Sequence, residues 1–307
     1  LVETGLRMAG FQYELRIHII ESTAPEGGEF RRKYEIDPYL IWVDKGYYGR
    51  LRLAEQHGVD IAFMGDSCTE FGTYGQLLAR EIGHHTGAKV SVVNLGVAGW
   101  TTFQGWKQTT RDVAKLRPRI ATVYYGWNDH WLSIGLSDEQ VEKINTSFPG
   151  RWRTLRIAQL LVKARVALAR EKREPVLRVG EPEFHDNLTR IVQFLRKQGT
   201  VPVLVTAPSS HEKGSEPRGL AGRWVSDLSD LVPLHQRYVS IVRQVAAEQN
   251  AVLCDLAQQF ETLGREEDLQ RYFYQDGIHL TAEGNQAAAR FLFECFAARG
   301  LIEPLDR

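Results

Sequence analysis

The sequence predicts a three-layer α/β/α sandwich built on five parallel strands, and three observations carry that prediction. Five short apolar runs end in Gly, Asn, Asp or Pro; they are rich in Val, Ile and Tyr instead of alternating apolar with polar; and segments of helical periodicity lie between them. A strand covered on both faces reads as a continuous apolar run, the mark of a parallel sheet. Alternating strands and helices imply right-handed crossovers that put helices on both faces.

The first strand is read in "VDIAFMGDS" (59–67) and the first helix in "TYGQLLAREIGHH" (73–85). The second strand, "AKVSVVNLGVAG" (88–99), is followed by a helix in "TFQGWKQTTRDVAKLR" (102–117). The third, "PRIATVYYGWND" (118–129), leads into a stretch at about 131–180 that breaks the alternation and is read as a helical insertion. In the helix "PEFHDNLTRIVQFLRKQG" (182–199), Phe184, Leu188, Ile191, Val192 and Leu195 recur at helical spacing and Gly199 is the stop. The strand "TVPVLVTAPSS" (200–210), the helix "LVPLHQRYVSIVRQVAAEQN" (231–250), the strand "NAVLCDLA" (250–257) and the helix "TAEGNQAAARFLFECFAARG" (281–300) complete the set. Residues 1–58, rich in aromatics and Arg, are expected to wrap the sheet, with "GLRMAGFQYELRIHIIES" (5–22) as a candidate extra strand; residues 59–307 form the main domain. Sites in such folds form at the carboxyl ends of the strands, so their polar ends are where chemistry is sought.

The 307 residues are 43% hydrophobic and 25% charged, the balance of a folded globular chain. Lys plus Arg and Asp plus Glu both number 38, so no net field favours a polyanion, and no nucleic-acid partner is expected. Cys68, Cys254 and Cys295 are odd in number and irregularly spaced, which suits neither a zinc site nor a disulfide framework. All three are read as free thiols, Cys254 and Cys295 in core elements and Cys68 beside Ser67. No run of about 18 apolar residues is present to span a membrane. The chain begins at Leu1 instead of Met, which leaves a signal or anchor ahead of it open.

Ser67 ends the first strand and opens the next helical segment, the place of a nucleophile and equally of a helix-capping serine. A serine hydroxyl needs a base, and the base an orienting group. "YFYQDGIHLTAEGN" offers both, since Asp276 and His279 stand three residues apart and a carboxylate at that distance can reach Nδ1 while Nε2 faces a substrate. Acyl transfer also needs donors for an oxyanion. Gly96 and Gly99 in "VVNLGVAGWTT" and Asn128 in "VYYGWNDHW" are candidates, although each on its own is ordinary turn chemistry. Independent turns have no reason to collect a serine, a glycine turn and an asparagine at three consecutive strand ends and an Asp–His pair in the last strand-to-helix loop.

On these residues the sequence resembles the SGNH hydrolase superfamily, the GDSL-type esterases and lipases. "GDS" at 65–67, "NLGVAG" at 94–99, "GWND" at 126–129 and "DGIH" at 276–279 occur in the family's order, with the first sixty residues outside the match. The resemblance implies a flavodoxin-like sandwich and a serine-esterase mechanism. In it Ser67 is the nucleophile, His279 the general base and then acid, and Asp276 the orienting carboxylate. The oxyanion donors would be the Ser67 N–H, the Gly99 N–H and the Asn128 side chain. Gly99 is chosen over Gly96 because the family's glycine lies five residues after the block's asparagine, here Asn94. Asp66 would brace the turn, and Cys68, where the family name has Leu, would pack beneath the nucleophile. No metal or organic cofactor is implied.

Trp100, Trp127 and Trp131, with His130, sit on the loops nearest the oxyanion positions and either line a pocket for a sugar or acyl group or pack the loop bases. The cationic segment "RWRTLRIAQLLVKARVALAREKR" (151–173), with Leu155, Ala158, Leu161 and Val162 near one side, either docks on the domain, covers the site as a lid or meets anionic lipid. "LVETGLRMAGF" is similar to the juxtamembrane stretch of bacterial envelope members of the superfamily. That likeness implies a membrane tether before residue 1 and a periplasmic or cell-envelope location. The expected function is hydrolysis of small-molecule or glycan esters, O-acetyl or other short-chain; O-acyl transfer to a cell-envelope polysaccharide and a catalytically idle glycan-binding domain are the alternatives.

Overall fold

A computed structural model describes residues 1–13, 32–133, 135–146, 154–170, 176–222 and 224–303. The amino-terminal segment supplies helix α1 (Val2–Met8), an antiparallel hairpin of β1 (Tyr34–Asp37) and β2 (Ile41–Asp44), and helix α2 (Tyr47–His57). The strand expected at 5–22 is corrected in part: Gly5–Met8 is helical, and 14–22 lies outside the described residues. Hairpin and helix do lie against the main domain, since Trp42 and Tyr47 are fully buried. This segment is joined through the indoles of Trp42 and Trp100, each donating to a backbone carbonyl on the other side.

Strand β3 (Ile61–Gly65), the short helix α3 (Ser67–Glu70), α4 (Tyr74–Thr86), β4 (Val92–Asn94), α5 (Thr102–Gln108) and β5 (Ile120–Tyr124) follow in the expected order. Helix α5 continues through a π turn (Thr109–Val113) and a last α turn (Ala114–Leu116). The insertion holds α6 (Asp138–Thr146) and α7 (Arg156–Arg170). Helix α8 (Glu181–Lys197), β6 (Val201–Val205), α9 (Leu231–Glu248), β7 (Val252–Cys254), α10 (Leu256–Leu263) and α11 (Ala282–Ala298) complete the domain.

The five strands form one sheet in the order β4-β3-β5-β6-β7, with every neighbouring pair parallel. Ile61 pairs with both Val92 and Ile120, and Ile120 with Val201, so the central strands run in step. All five residues of β3 and of β5 are buried, which is why they read as unbroken apolar runs. Helix α4 packs on α11, while α8 packs on α5 and α9, giving a helical layer on each side. After β4 the chain crosses back over β3 to β5, so the carboxyl ends of β3 and β5 border the point where the winding reverses, the usual crevice of such sheets.

Two expectations are corrected here. Cys254, at the end of β7, is bonded to Cys295 on α11 across 5.9 Å between Cα atoms, and only Cys68 is free. Sequence spacing carried no sign of this, because the pair is made by the packing of the last helix beside the last strand. Helix α7 buries Ala158 and Val166 and half-buries Val162, with Leu155 half-buried just before it, but Leu161, grouped with them by sequence, is 57% exposed. The helix is docked through α1: the Ile157 N–H donates to Glu3 and Arg7 to the Thr154 carbonyl. Residues 151–153 and 171–173 of that segment lie outside the described residues. Among the described residues no helix is long and apolar enough to cross a membrane.

Candidate active site

The turn after β3 closes only because residue 65 is glycine. A Cβ there would stand 2.0 Å from Thr69 Oγ1 and 2.7 Å from the Tyr124 carbonyl oxygen. Asp66 then caps α3, its Oδ1 accepting from the Cys68 N–H at 2.9 Å, and Ser67 emerges at the end of the strand. Cys68 is buried beneath it, as expected.

Ser67 Oγ lies 2.8 Å from His279 Nε2, and His279 Nδ1 lies 2.6 Å from Asp276 Oδ2. A carboxylate can only accept, so Nδ1 carries the proton and Nε2 is left to accept from the serine hydroxyl. The other carboxylate oxygen, Oδ1, accepts the N–H groups of Ile278 and His279 at 2.9 and 3.0 Å, which folds the loop into a turn and fixes the carboxylate beneath the ring. Burial would raise the Asp276 pKa, but the hydrogen bonds from the His279 ring and from both backbone N–H groups prevail and bring it to about 2. Burial disfavours the His279 imidazolium; the hydrogen bond and charge of Asp276, with the charge of Asp66, outweigh it and lift the pKa above its ordinary value.

Asn128, at the end of β5, is buried and donates one amide hydrogen to Asp66 Oδ2 at 3.1 Å, leaving the other unassigned. Burial pushes the Asp66 carboxyl up to about 6 against its donors Cys68 and Asn128 and the His279 charge. Of the two candidate glycines, Gly96 is used structurally: its N–H donates to Asn94 Oδ1 at 2.9 Å, and a Cβ would meet the Glu70 nitrogen at 2.6 Å. Gly99, at φ +79°, has an N–H with no partner among the described residues, as does Ser67. Three unspent donors thus stand on the turns beside the hydroxyl. An imidazole that accepts from the hydroxyl can relieve it of its proton, which is the chemistry of an activated serine.

Trp100, Trp127, His130 and Trp131 are buried, so of the two readings open to them it is the packing of the loop bases that the structure shows, and the substrate-contact reading is corrected. Trp100 and His130 are fully inaccessible, Trp127 is 2% and Trp131 5% exposed. Trp127 stacks on His235 with ring centroids 3.8 Å apart. His235 Nε2 donates to the Ala207 carbonyl at 2.9 Å, so its Nδ1 accepts from His130 Nε2 at 3.1 Å. Burial holds His130 well below the ordinary value and His235 at about 4, so both are neutral wedges in an aromatic layer under the loops. Among the described residues no group of three or more His, Cys, Asp or Glu side chains is placed to hold a metal ion.

Other side chains near the site were not singled out in the sequence. Phe71, 54% exposed, has its ring 6.0 Å from that of His279, and Tyr274, 59% exposed, donates its N–H to the His279 carbonyl at 2.8 Å. His211 Nε2 donates to the Asp276 carbonyl at 2.6 Å and its ring meets Trp127 edge-on, so it props the Asp–His turn from below. Phe71, one turn past the serine, was open to detection as a lone aromatic in a polar segment; His211 was not, because its loop meets the turn only in the folded chain.

The family model described as GDSL-like Lipase/Acylhydrolase family matches residues 63–287. No curated protein sequence matches the chain significantly. Among solved structures, the lipase/acylhydrolase from Enterococcus faecalis superposes with a TM-score of 0.52 at 17% identity, over 78% of this chain and 96% of that one. An acetylxylan esterase from Geobacillus stearothermophilus gives 0.51 at 16%, over 78% and 94%, and a GDSL-like lipase from Bacteroides thetaiotaomicron 0.50 at 14%, over 82% and 98%. At such identities the likeness is one of fold.

Proposed function

The chain belongs to the GDSL-like lipase/acylhydrolase family, and from that premise we propose that it hydrolyses carboxylic esters through an acyl-enzyme on Ser67. The observation that carries the reading is the continuous path from Asp276 through His279 to Ser67, at 2.6 and 2.8 Å. His279 takes the serine proton as Oγ attacks the ester carbonyl. The Ser67 and Gly99 N–H groups and the free amide hydrogen of Asn128 receive the oxyanion, and His279 returns the proton to the departing alcohol. Water repeats the cycle on the acyl-enzyme. A binding module would have no use for a carboxylate that fixes the tautomer of a histidine facing a serine.

The substrate class is a short-chain acyl ester, O-acetyl above all, carried on a sugar. Two observations support this. Phe71 offers an exposed ring beside that of His279, and rings of this kind stack on sugar faces; and the fold is shared with an acetylxylan esterase. The location we propose is the bacterial periplasm or cell envelope. The Cys254–Cys295 bond supports it, because such bonds persist in oxidising compartments.

Turnover of 4-nitrophenyl acetate, butyrate and octanoate, and release of acetate from acetylated xylo-oligosaccharides, tests the reading. Rates should fall with chain length, and acetate should be freed into water. Acyl groups recovered on an added sugar acceptor in place of free acid would make the protein an acyltransferase, and turnover of none of the esters would overturn the proposal.

A further inference from the structure

A backbone N–H stabilises an oxyanion only if it is aimed, and three parts of the chain converge on the turn that carries Gly99. The Ala98 N–H donates to a Glu70 carboxylate oxygen at 2.5 Å, from the helix that begins with Ser67. The Ala98 carbonyl accepts the indole N–H of Trp42 at 3.0 Å, from the amino-terminal hairpin. The Gly99 carbonyl accepts from the Arg178 guanidinium at 2.6 Å, and Arg178 is itself paired with Asp138 at 2.9 Å, from the insertion. Every polar group from the Ala98 N–H to the Gly99 carbonyl is thereby engaged except the Gly99 N–H.

The Ala98 carbonyl and the Gly99 N–H are the two ends of one peptide group, which is planar and trans. The Trp42 bond therefore fixes the plane of the Gly99 N–H and leaves it directed to the side away from the indole. A bond accepted at the carbonyl also polarises the peptide and strengthens its N–H as a donor. Trp42 Cζ2 stands 3.2 Å from where a Gly99 Cβ would lie, so the turn is seated against the ring.

Trp42 is itself immobilised. It is fully buried, and its carbonyl accepts the Trp100 indole N–H at 3.0 Å. The residue before it, Ile41, has φ 75°, a left-handed conformation that β-branched residues rarely adopt. The turn ahead of it is held by Asp37, whose carboxylate accepts the Tyr39 and Leu40 N–H groups. Strain of this kind persists where surrounding contacts over-determine it, and it gathers at sites where a group must be aimed.

We propose that Trp42, which lies outside the family-matched residues, is a positioning residue for the oxyanion site: its indole N–H orients the Ala98–Gly99 peptide so that the Gly99 N–H meets the developing charge. The proposal rests on the serine-esterase reading given above. It makes the amino-terminal hairpin a working part of the hydrolase.

The test is Trp42→Phe, assayed beside wild type on 4-nitrophenyl acetate and on the matching thionoester, in which sulfur replaces the carbonyl oxygen. Sulfur is the poorer hydrogen-bond acceptor, so the thionoester gains less from the donors. The variant should lose about tenfold or more in kcat on the oxygen ester with KM unchanged. It should lose much less on the thionoester, so that the oxygen-to-sulfur rate ratio drops. Equal losses on both esters, as from a smaller folded fraction, or an unchanged oxygen-ester rate, would overturn the proposal. Benzothienylalanine at position 42 keeps the indole shape without its N–H, and it must give the same drop in ratio should Trp42→Phe fail to fold. The underlying reading fails separately: turnover retained by Ser67→Ala would remove the serine mechanism. An intact ratio in the Trp42 variants of an enzyme that needs Ser67 removes only the role of Trp42.

Discussion

Replacing Asn128 with Ala removes two interactions that the structure separates. One amide hydrogen is bonded to Asp66 at 3.1 Å; the other is unspent and faces the reaction as an oxyanion donor in the mechanism proposed. Loss of one such donor costs on the order of 100-fold to 1000-fold in rate, or roughly 3 to 4 kcal/mol of barrier. Asp66 meanwhile keeps the Cys68 N–H but loses its second donor in a fully buried setting. That adds a stability loss of about 1–3 kcal/mol, the usual cost of stripping a partner from a buried polar group. The two effects are read independently, by kcat/KM on 4-nitrophenyl acetate and by the urea midpoint. Asn128→Ala should stay folded at 25 °C with a lowered midpoint and a kcat deficit near two to three orders of magnitude. A folded variant that retains more than about a tenth of wild-type kcat would refute the reasoning.

In the proposed mechanism the pH profile follows from His279, because an imidazole accepts a proton only when neutral. Its pKa is raised above the ordinary value of about 6.5, so kcat/KM should climb with pH through a midpoint above 6.5 and be lost below it. Asp276→Asn removes the main cause of that rise and leaves burial, which disfavours the charged ring. The midpoint should move to lower pH while the rate falls roughly 10⁴-fold, as in serine triads generally; a midpoint that stays put would separate Asp276 from the histidine. Reduction of the Cys254–Cys295 bond opens a loop spanning a sequence separation of 41 and should lower stability by about 4 kcal/mol on the chain-entropy account. Denaturant melts with and without reductant measure this, and coincident melts would remove the bond from the account of stability.

The strands and the Ser67 and Asp276–His279 turns were legible because their signals are local. A strand buried on both faces must be apolar throughout, so β3 and β5 stood out in the sequence, and "GDS" and "DGIH" each hold their chemistry within a few residues. Ser67 and His279 are 212 residues apart, with helix α10 between β7 and the loop of His279, and their meeting was expected from the family resemblance. What escaped was proximity that no local pattern encodes. Cys254 and Cys295 pair only because α11 packs beside β7. Arg178 reaches the Gly99 carbonyl from the far end of the insertion, and the β1–β2 hairpin is too short to separate from a polar loop by periodicity. The tryptophans were ambiguous for another reason: an aromatic ring suits a sugar-binding surface and a core equally well, and only burial decides.

The most direct test of the central claim is intact-mass labelling with a fluorophosphonate, wild type beside Ser67→Ala. An activated serine forms a stable phosphonyl adduct in the tetrahedral geometry that the oxyanion donors are built to receive. Wild type should label stoichiometrically at neutral pH, and a Ser67→Ala protein of unchanged fold not at all. Equal labelling of both, or no labelling of well-folded wild type, would contradict it.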